Sequence, residues 1–307
     1  MTGNEDLWGG GLESTVAMFP GQGSQRPGMG KALTKNFQVA DDVFDECSDA
    51  LGIDVRELAW DSAPEQLGEN RKHASGTRRG QHRRLEGVDP GGRQPGPRSS
   101  RTQHRALSAA IAGGYIPLAD GIKLARRRGH LMASAPGRGS MLAVAVRGEE
   151  QRDGLIASAA TFGLDVAAVN GERQIVLSGP ITDIEDARKH FGAKSTQLNV
   201  SHGFHSRLMD PVMGEWQELL RHAPFRDGGD VPLLGCTSPR RLRTAMEVSN
   251  ELYFGIRQPV RWDQVLQSAD SFGTWVYLGT AKSLSRLRRN QTQTVQIVED
   301  TYVGRRT

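Results

Sequence analysis

A series of strand and helix patterns between residues 139 and 202 limits the folds available to this 307-residue chain. Apolar residues recur there with strand-like or helix-like spacing, in the order strand, helix, strand, strand, helix, strand. The predicted elements cover residues 140–146, 149–162, 164–169, 174–178, 181–191 and 195–200. This order is typical of a ferredoxin-like unit. Residues 139–202 are therefore predicted to form a small ferredoxin-like α+β subdomain.

Strand and helix patterns also alternate on both sides of this unit. Strands are predicted at 15–19, 231–236 and 275–278, and helices at 39–51, 208–220, 248–256, 260–269 and 283–289. Such alternation around an insertion predicts an α/β domain interrupted by a smaller domain. We therefore assign residues 13–138 and 203–307 to one large α/β domain.

One block, residues 71–105, breaks this regularity. It contains six glycines and three prolines, and its only apolar residues are Ala74, Leu85 and Val88. Such a segment cannot bury enough apolar surface to offset the entropy lost on ordering. We expect the block to be disordered, with regular structure resuming at Ala106.

The same block explains the basic character of the chain. It holds nine Arg and one Lys against Glu86 and Asp89, and the remaining residues carry 29 basic and 33 acidic side chains. No aromatic residues are interleaved with these charges, so the pattern argues against nucleic-acid binding. No apolar run reaches the roughly 20 residues of a membrane helix, and the start of the chain is unlike a secretion signal. The two cysteines, Cys47 and Cys236, suggest no metal or redox pair, so a cytoplasmic location is expected.

Three motifs carry residues suited to chemistry. A glycine-rich turn, FPGQGSQ at 19–25, follows a predicted strand and would let backbone N–H groups approach a substrate oxygen. The segment VSHGFHSRLM at 200–209 places His205 at the start of a predicted helix, although a lone histidine is more often structural. The run RRRGHLM at 126–132 places Arg128, a planar fork suited to a carboxylate, on a predicted helix.

Together with NGERQIVLSG at 170–179 and RQPVRW at 257–262, these motifs resemble the malonyl-CoA:acyl carrier protein transacylases and the acyltransferase domains of polyketide synthases. The resemblance covers residues 15–70 and 106–290. It implies an α/β-hydrolase-like large domain that carries the inserted ferredoxin-like subdomain.

The resemblance also implies roles for individual residues. The backbone N–H of Gln22 would stabilise an oxyanion, and His205 would act as the catalytic base and acid. A backbone carbonyl near Gly255 would hold the imidazole, and Arg128 would grip the free carboxylate of a malonyl group. Because HGFH at 202–205 resembles the HAFH of malonyl-selective domains, Phe204 would disfavour a methylmalonyl group.

The chain departs from the family at the nucleophile. The family places its serine in a sharp GHSxGE turn, and this sequence contains no G-x-S-x-G. Alignment on the following helix puts Gln103 at the serine position, with Ser99 and Ser100 upstream and Ser108 too far into the helix. The chain is either an inactive homologue, or residues 71–105 are read out of frame. We favour the second interpretation because the loss is confined to one block.

The implied reaction moves a malonyl group from malonyl-CoA, through a serine ester, to the phosphopantetheine thiol of an acyl carrier protein. No metal or redox cofactor is expected, and the expected partners are the carrier protein and malonyl-CoA. The alternatives are a discrete polyketide-synthase acyltransferase, a malonate decarboxylase subunit, and a non-catalytic homologue that binds carrier protein. A nucleic-acid binder that uses residues 71–105 is the weakest alternative.

Overall fold

The structure, a computed structural model, describes residues 15–19, 26–61, 105–228, 231–270, 272–278 and 294–298. Its helices are α1 (Lys31–Asn36), α2 (Gln38–Leu51), α3 (Val55–Asp61), α4 (Arg105–Ala112), α5 (Leu118–Ser134), α6 (Gly148–Ser158), α7 (Ile181–Phe191), α8 (Met213–His222), α9 (Ala245–Arg257) and α10 (Trp262–Ser268). Its strands are β1 (Thr15–Met18), β2 (Gly139–Ala145), β3 (Asp165–Val169), β4 (Gln174–Pro180), β5 (Ser195–Gln197), β6 (Leu233–Leu234), β7 (Arg241–Leu242), β8 (Val260–Arg261), β9 (Thr274–Leu278) and β10 (Thr294–Val298). Short 3₁₀ helices cover Ala159–Phe162, Gly192–Lys194 and Arg207–Val212.

The inserted unit is built on one sheet with the strand order β5-β2-β4-β3-β8. Neighbours among the first four strands are antiparallel. Helix α6 lies between β2 and β3 in the chain, and α7 lies between β4 and β5. This is the ferredoxin-like arrangement, so that prediction is confirmed.

The two faces of this sheet contribute to different cores. Successive side chains of a strand point to opposite faces. On β2, Leu142 and Val144 join the small core that includes Ile184 of α7. The alternate residues Met141 and Ala143 belong to the main core of the large domain. The subdomain is therefore packed against the large domain through residues on one face of its sheet.

The large domain contains a parallel sheet of described strands in the order β1-β9-β10. Its main core includes three fully buried tryptophans, Trp216, Trp262 and Trp275. Helix α5 contributes Leu124, Leu131 and Met132 to this core and also packs against α2. No helix within the described ranges has both the length and the apolar content needed to cross a bilayer.

One predicted helix begins differently in the structure. The pattern at 260–269 predicted a helix throughout, but Val260–Arg261 form β8, and α10 begins only at Trp262. Residues 260 and 261 pair in parallel with Ala168 and Val169 of β3, because this tertiary contact outweighs a short apolar periodicity. Two residues assigned to the large domain thus extend the subdomain sheet. The boundary at residue 202 remains a prediction, and the aberrant block at 71–105 lies outside the described residues up to Arg105, where α4 begins.

Candidate active site

Arg128 lies on the buried side of α5, where only 3% of its surface is exposed. It shares that side with Leu124, Leu131 and Met132, as expected for an amphipathic helix. Its Nη2 donates to the carbonyl oxygen of Gly255 at 3.3 Å, and its buried Nη1 has no hydrogen-bond partner among the described residues. Burial lowers the pKa of Arg128 to about 10. The guanidinium therefore stays charged at neutral pH in an apolar interior, which favours binding of an anion.

His205 occupies the turn between β5 and the 3₁₀ helix Arg207–Val212, and it is 2% exposed. Its Nδ1 lies 3.0 Å from the carbonyl oxygen of Gln258. Because a carbonyl can only accept, Nδ1 carries the proton and donates it, which leaves a lone pair on Nε2. Nε2 is buried and has no hydrogen-bond partner among the described residues. This is the tautomer that a general base requires.

The pKa of His205 is lowered to about 3, first by burial and then by the positive charge of Arg128, against the raising effect of the Gln258 hydrogen bond. The guanidinium and the imidazole are therefore close enough to interact electrostatically. Each also has a buried nitrogen that finds no partner among the described residues, Nη1 and Nε2 respectively. The structure thus brings together two of the residues that the motifs predicted.

The C-terminal turn of α9 holds both side chains. The last carbonyls of a helix lack partners within the helix and are available to other donors. Here the carbonyl oxygen of Gly255 accepts from Arg128, that of Ile256 accepts from the His205 backbone N–H at 3.1 Å, and that of Gln258 accepts from the imidazole. The assignment of the imidazole-holding carbonyl to Gly255 was therefore wrong. Gly255 still lies within α9, whereas Gln258 follows the helix with extended backbone that turns its carbonyl towards His205.

Of the remaining predicted residues, Phe204 lies within the described fold. Phe204 is 1% exposed and packs in the main core, with its ring centroid 6.4 Å from that of His202. Its influence on acyl-group selectivity remains a prediction. Gln22 and the aligned nucleophile position Gln103 lie outside the described residues, as do Ser99 and Ser100.

A network of charges that the motifs did not indicate surrounds the same turn. Arg207 donates to Asp165 through its backbone N–H at 2.9 Å, and Arg257 donates to Asp210 at 2.7 Å. Arg257 also lies 3.9 Å from Asp165. The network connects β3 of the subdomain with the residues that flank His205 and with the end of α9. Its partners are more than forty positions apart in sequence, so no local pattern could reveal them.

Glu251, a buried residue of α9, connects this helix to residues 236–238. Its carboxylate is buried and accepts from the backbone N–H groups of Cys236, Thr237 and Ser238 at 2.6 to 3.2 Å. It also accepts from the hydroxyl of Thr237 at 2.7 Å. Buried carboxylates are costly unless paired, and these four donors satisfy this one. Glu251 therefore anchors the helix whose end holds Arg128 and His205.

An apolar cavity of about 430 Å³ lies between β1 and α4. Its lining includes Met18 and Phe19 at the end of β1, Ala106 and Ala109 of α4, and Trp262. Phe19 precedes Gln22 by three positions, and α4 begins two positions after Gln103. Phe19 and Ala106, which lie close in sequence to the expected oxyanion donor and nucleophile, therefore line the same cavity.

The buried imidazole should make stability depend on pH. The unfolded chain binds a proton at His205 below about pH 6.5, whereas the folded chain does so only near the lowered pKa of about 3. The contribution of a neutral His205 to the free energy of unfolding is therefore fully present above about pH 6.5. It decreases as the pH falls, by about 2 kcal/mol at about pH 5. Urea unfolding above pH 6.5 and at about pH 5 measures this loss of stability. The same measurements are made on His205→Gln and, as a control, on His222→Gln at an exposed histidine. Equal pH dependence in His205→Gln and the parent chain would contradict a buried neutral base.

Comparison with known proteins gives a consistent result, although no protein-family model matches the chain. The phenolphthiocerol synthesis polyketide synthase type I Pks15/1 of Mycobacterium marinum is 32% identical over 71% of this chain. Two malonyl CoA-acyl carrier protein transacylases of Bacillus subtilis are 30% and 28% identical over 82% and 90% of it. The chain spans 10% of the synthase and 64% and 90% of the two transacylases.

A solved structure described as a type II PKS acyl-carrier protein in complex with its malonyl-transacylase, PlMCAT:AntF, superimposes with a TM-score of 0.77. It is 24% identical and covers 94% of this chain and 97% of the solved one. The two structures share one fold, an α/β-hydrolase-like domain with a ferredoxin-like insertion, and this fold defines the class of the protein. The sequence relatives are malonyl CoA-acyl carrier protein transacylases and polyketide synthases, so the resemblance that the motifs indicated is confirmed.

Proposed function

We propose that the site built on Arg128 and His205 transfers a malonyl group from malonyl-CoA to the phosphopantetheine thiol of an acyl carrier protein. The observation that carries the proposal is the convergence of these two side chains on the C-terminal turn of α9. A buried cation with no carboxylate partner among the described residues suits the free carboxylate of a malonyl group, and a buried neutral imidazole suits proton transfer. The partner class agrees with the carrier protein bound in the PlMCAT:AntF complex.

The proposed reaction has two halves that use the same base. Nε2 of His205 takes the proton of a serine hydroxyl, the serine oxygen bonds to the malonyl thioester carbon, and the carbon–sulfur bond breaks. His205 returns the proton to the CoA sulfur. In the second half His205 takes the proton of the carrier-protein thiol, and the thiol sulfur bonds to the ester carbon. The bond between that carbon and the serine oxygen breaks, and His205 returns the proton to the serine oxygen. Arg128 holds the malonyl carboxylate throughout, and the backbone N–H of Gln22 would stabilise each oxyanion.

The printed polypeptide lacks the serine in the expected turn, so we propose that residues 71–105 are read out of frame and that the chain as given transfers little or no malonyl group. An inactive homologue remains the alternative, because it would keep substrate binding without the serine ester. The reaction needs no metal or redox cofactor. We also propose a cytoplasmic location, because the sequence around Cys47 and Cys236 resembles neither a metal-binding nor a redox pair.

Use in polyketide assembly is a second candidate within the same chemistry. The relatives include both separate transacylases and large synthases, and HGFH at 202–205 resembles the malonyl-selective synthase motif. A gene neighbourhood that encodes a polyketide synthase, instead of fatty-acid enzymes, would favour this candidate.

Substrate binding by the chain as given tests the proposed site without requiring the serine. We expect malonyl-CoA to bind roughly 10- to 100-fold more tightly than acetyl-CoA, because only the malonyl carboxylate forms charge-assisted hydrogen bonds with Arg128. Isothermal titration with both thioesters measures the difference. Equal affinities, or tighter binding of acetyl-CoA, would contradict the role of Arg128.

A further inference from the structure

His202 is a buried side chain that the proposed reaction does not use. It is 4% exposed, and both of its ring nitrogens contact backbone groups. Nε2 lies 3.0 Å from the carbonyl oxygen of Ala135, the residue directly after α5. Nδ1 lies 2.7 Å from the backbone nitrogen of Gly203. The ring therefore connects the end of the helix that carries Arg128 with the turn that carries His205.

The two backbone partners determine the tautomer of this ring. The N–H of Gly203 can only donate, so Nδ1 of His202 must accept and carries no proton. The carbonyl of Ala135 can only accept, so Nε2 must carry the proton. His202 is thus fixed as the neutral Nε2–H tautomer. His205, whose Nδ1 donates to Gln258, is fixed as the opposite tautomer.

The turn at His205 needs such constraints because its backbone is strained. His205 has a φ of 56°, and no other described residue except glycine has a positive φ. A left-handed conformation costs a non-glycine residue about 1–3 kcal/mol and persists only where its surroundings fix it. Gly203, two positions earlier, receives two side-chain contacts: its N–H binds His202, and its carbonyl accepts from the hydroxyl of Ser206 at 2.6 Å.

We propose that His202 is a positioning residue, which fixes the turn of His205 through Gly203 and so holds the His205 ring in the tautomer whose Nε2 is basic. The proposal rests on the proposed function only in treating His205 as the base. If His202 only filled space, a side chain of similar size would replace it without any effect on His205. If it positions the turn, the contact with Gly203 should matter more for His205 than the contact with Ala135.

Two substitutions separate these contacts. In His202→Asn, the side-chain oxygen can take the place of Nδ1 and accept from Gly203, and the contact with Ala135 is lost. In His202→Gln, the side-chain amide can take the place of Nε2 and donate to Ala135, and the contact with Gly203 is lost. His222→Asn, a replacement of an exposed histidine, is the matched control.

The experiment is a long-range ¹H–¹⁵N NMR spectrum of the histidine rings in the full chain, because ring nitrogen shifts report the tautomer of each histidine. We expect His202 as the Nε2–H tautomer and His205 as the Nδ1–H tautomer in the parent chain. His202→Asn and His222→Asn should keep the single tautomer of His205, and His202→Gln should convert it into an averaged mixture. The NMR spectrum reports the tautomers whether or not the chain transfers acyl groups. Failure of the proposed function would therefore not change this result, and the two failures can be told apart.

Two results would overturn the proposal. A folded His202→Gln chain with the parent signals of His205 would show that the Gly203 contact does not position the turn. An Nδ1–H tautomer or a doubly protonated ring at His202 in the parent chain would show that the two hydrogen bonds do not form. The second result needs no variant, so it can overturn the proposal even if the substitutions prevent folding.

Discussion

Correcting the reading frame across residues 71–105 is expected to raise malonyl transfer on the order of 10⁶-fold, which is the typical cost of removing a catalytic serine. His205 and Arg128 are already in place in the described fold, and the base has an available lone pair on Nε2. What the printed sequence lacks is an acyl acceptor, because glutamine at position 103 cannot form an ester. The increase in the rate of malonyl transfer should therefore come from the restored serine turn alone, without any change at Arg128 and His205.

The genetic code makes this expectation specific. The printed segment Arg-Thr-Gln-His-Arg at 101–105 can be encoded by CGG-ACA-CAG-CAT-CGG. The same bases read one position later give GGA-CAC-AGC-ATC-GG, which encodes Gly-His-Ser-Ile and then Gly. This is a G-x-S-x-G turn, and its serine codon takes two of its bases from the codon of Gln103, the position that alignment on α4 had matched to the nucleophile. The turn would also directly precede α4, which begins at Arg105.

Nucleotide sequencing across codons 65–110 gives the first measurement, and a malonyl transfer assay with the frame-corrected protein gives the second. The control is the corrected gene with its new serine codon changed to alanine, which should return the rate to that of the printed chain. Mass spectrometry should show a covalent malonyl adduct only when that serine is present. An intact frame across this block, or rapid self-acylation of the printed chain, would leave the frame interpretation untenable.

Features that depend on local sequence were predicted, whereas contacts between residues far apart in the chain were not. Helix α7 and the strand β4 were predicted from local periodicity, and the structure places them at Ile181–Phe191 and Gln174–Pro180. The carbonyl that holds His205 was assigned to Gly255 instead of Gln258, because a motif gives a position along the chain but not which carbonyl of a helix end turns towards the ring. The ion pair between Asp210 and Arg257 depends on residues 47 positions apart, so only the fold could bring it to view. Gln22 remains a prediction, since it lies outside the described residues.

Replacing Arg128 with methionine is expected to stabilise the unliganded fold while it removes the preference for malonyl groups. Burial lowers the pKa of Arg128 to about 10 from an ordinary value of 12.5, which corresponds to about 3 kcal/mol of unfavourable free energy for the charged form. Because the pKa is lowered in the folded state, this cost is fully present at neutral pH. Methionine fills similar volume without a charge, so the free energy of unfolding should rise by up to that amount. In the frame-corrected enzyme, malonyl transfer should fall on the order of 10²-fold or more, because the buried charge pair between Arg128 and the malonyl carboxylate is lost.

Arg127→Met is the matched control for this prediction, because Arg127 is the neighbouring residue of α5 and forms an exposed ion pair with Glu215 at 3.0 Å. Exposed pairs contribute about 0–1 kcal/mol, so this variant should change neither stability nor acyl preference appreciably. Urea unfolding of both variants measures stability, and competition between malonyl-CoA and acetyl-CoA measures preference. Removing the positive charge near His205 should also raise the pKa of the imidazole, which NMR titration detects. If Arg128→Met keeps the malonyl preference, the buried guanidinium is a structural group and the carboxylate of the substrate binds elsewhere.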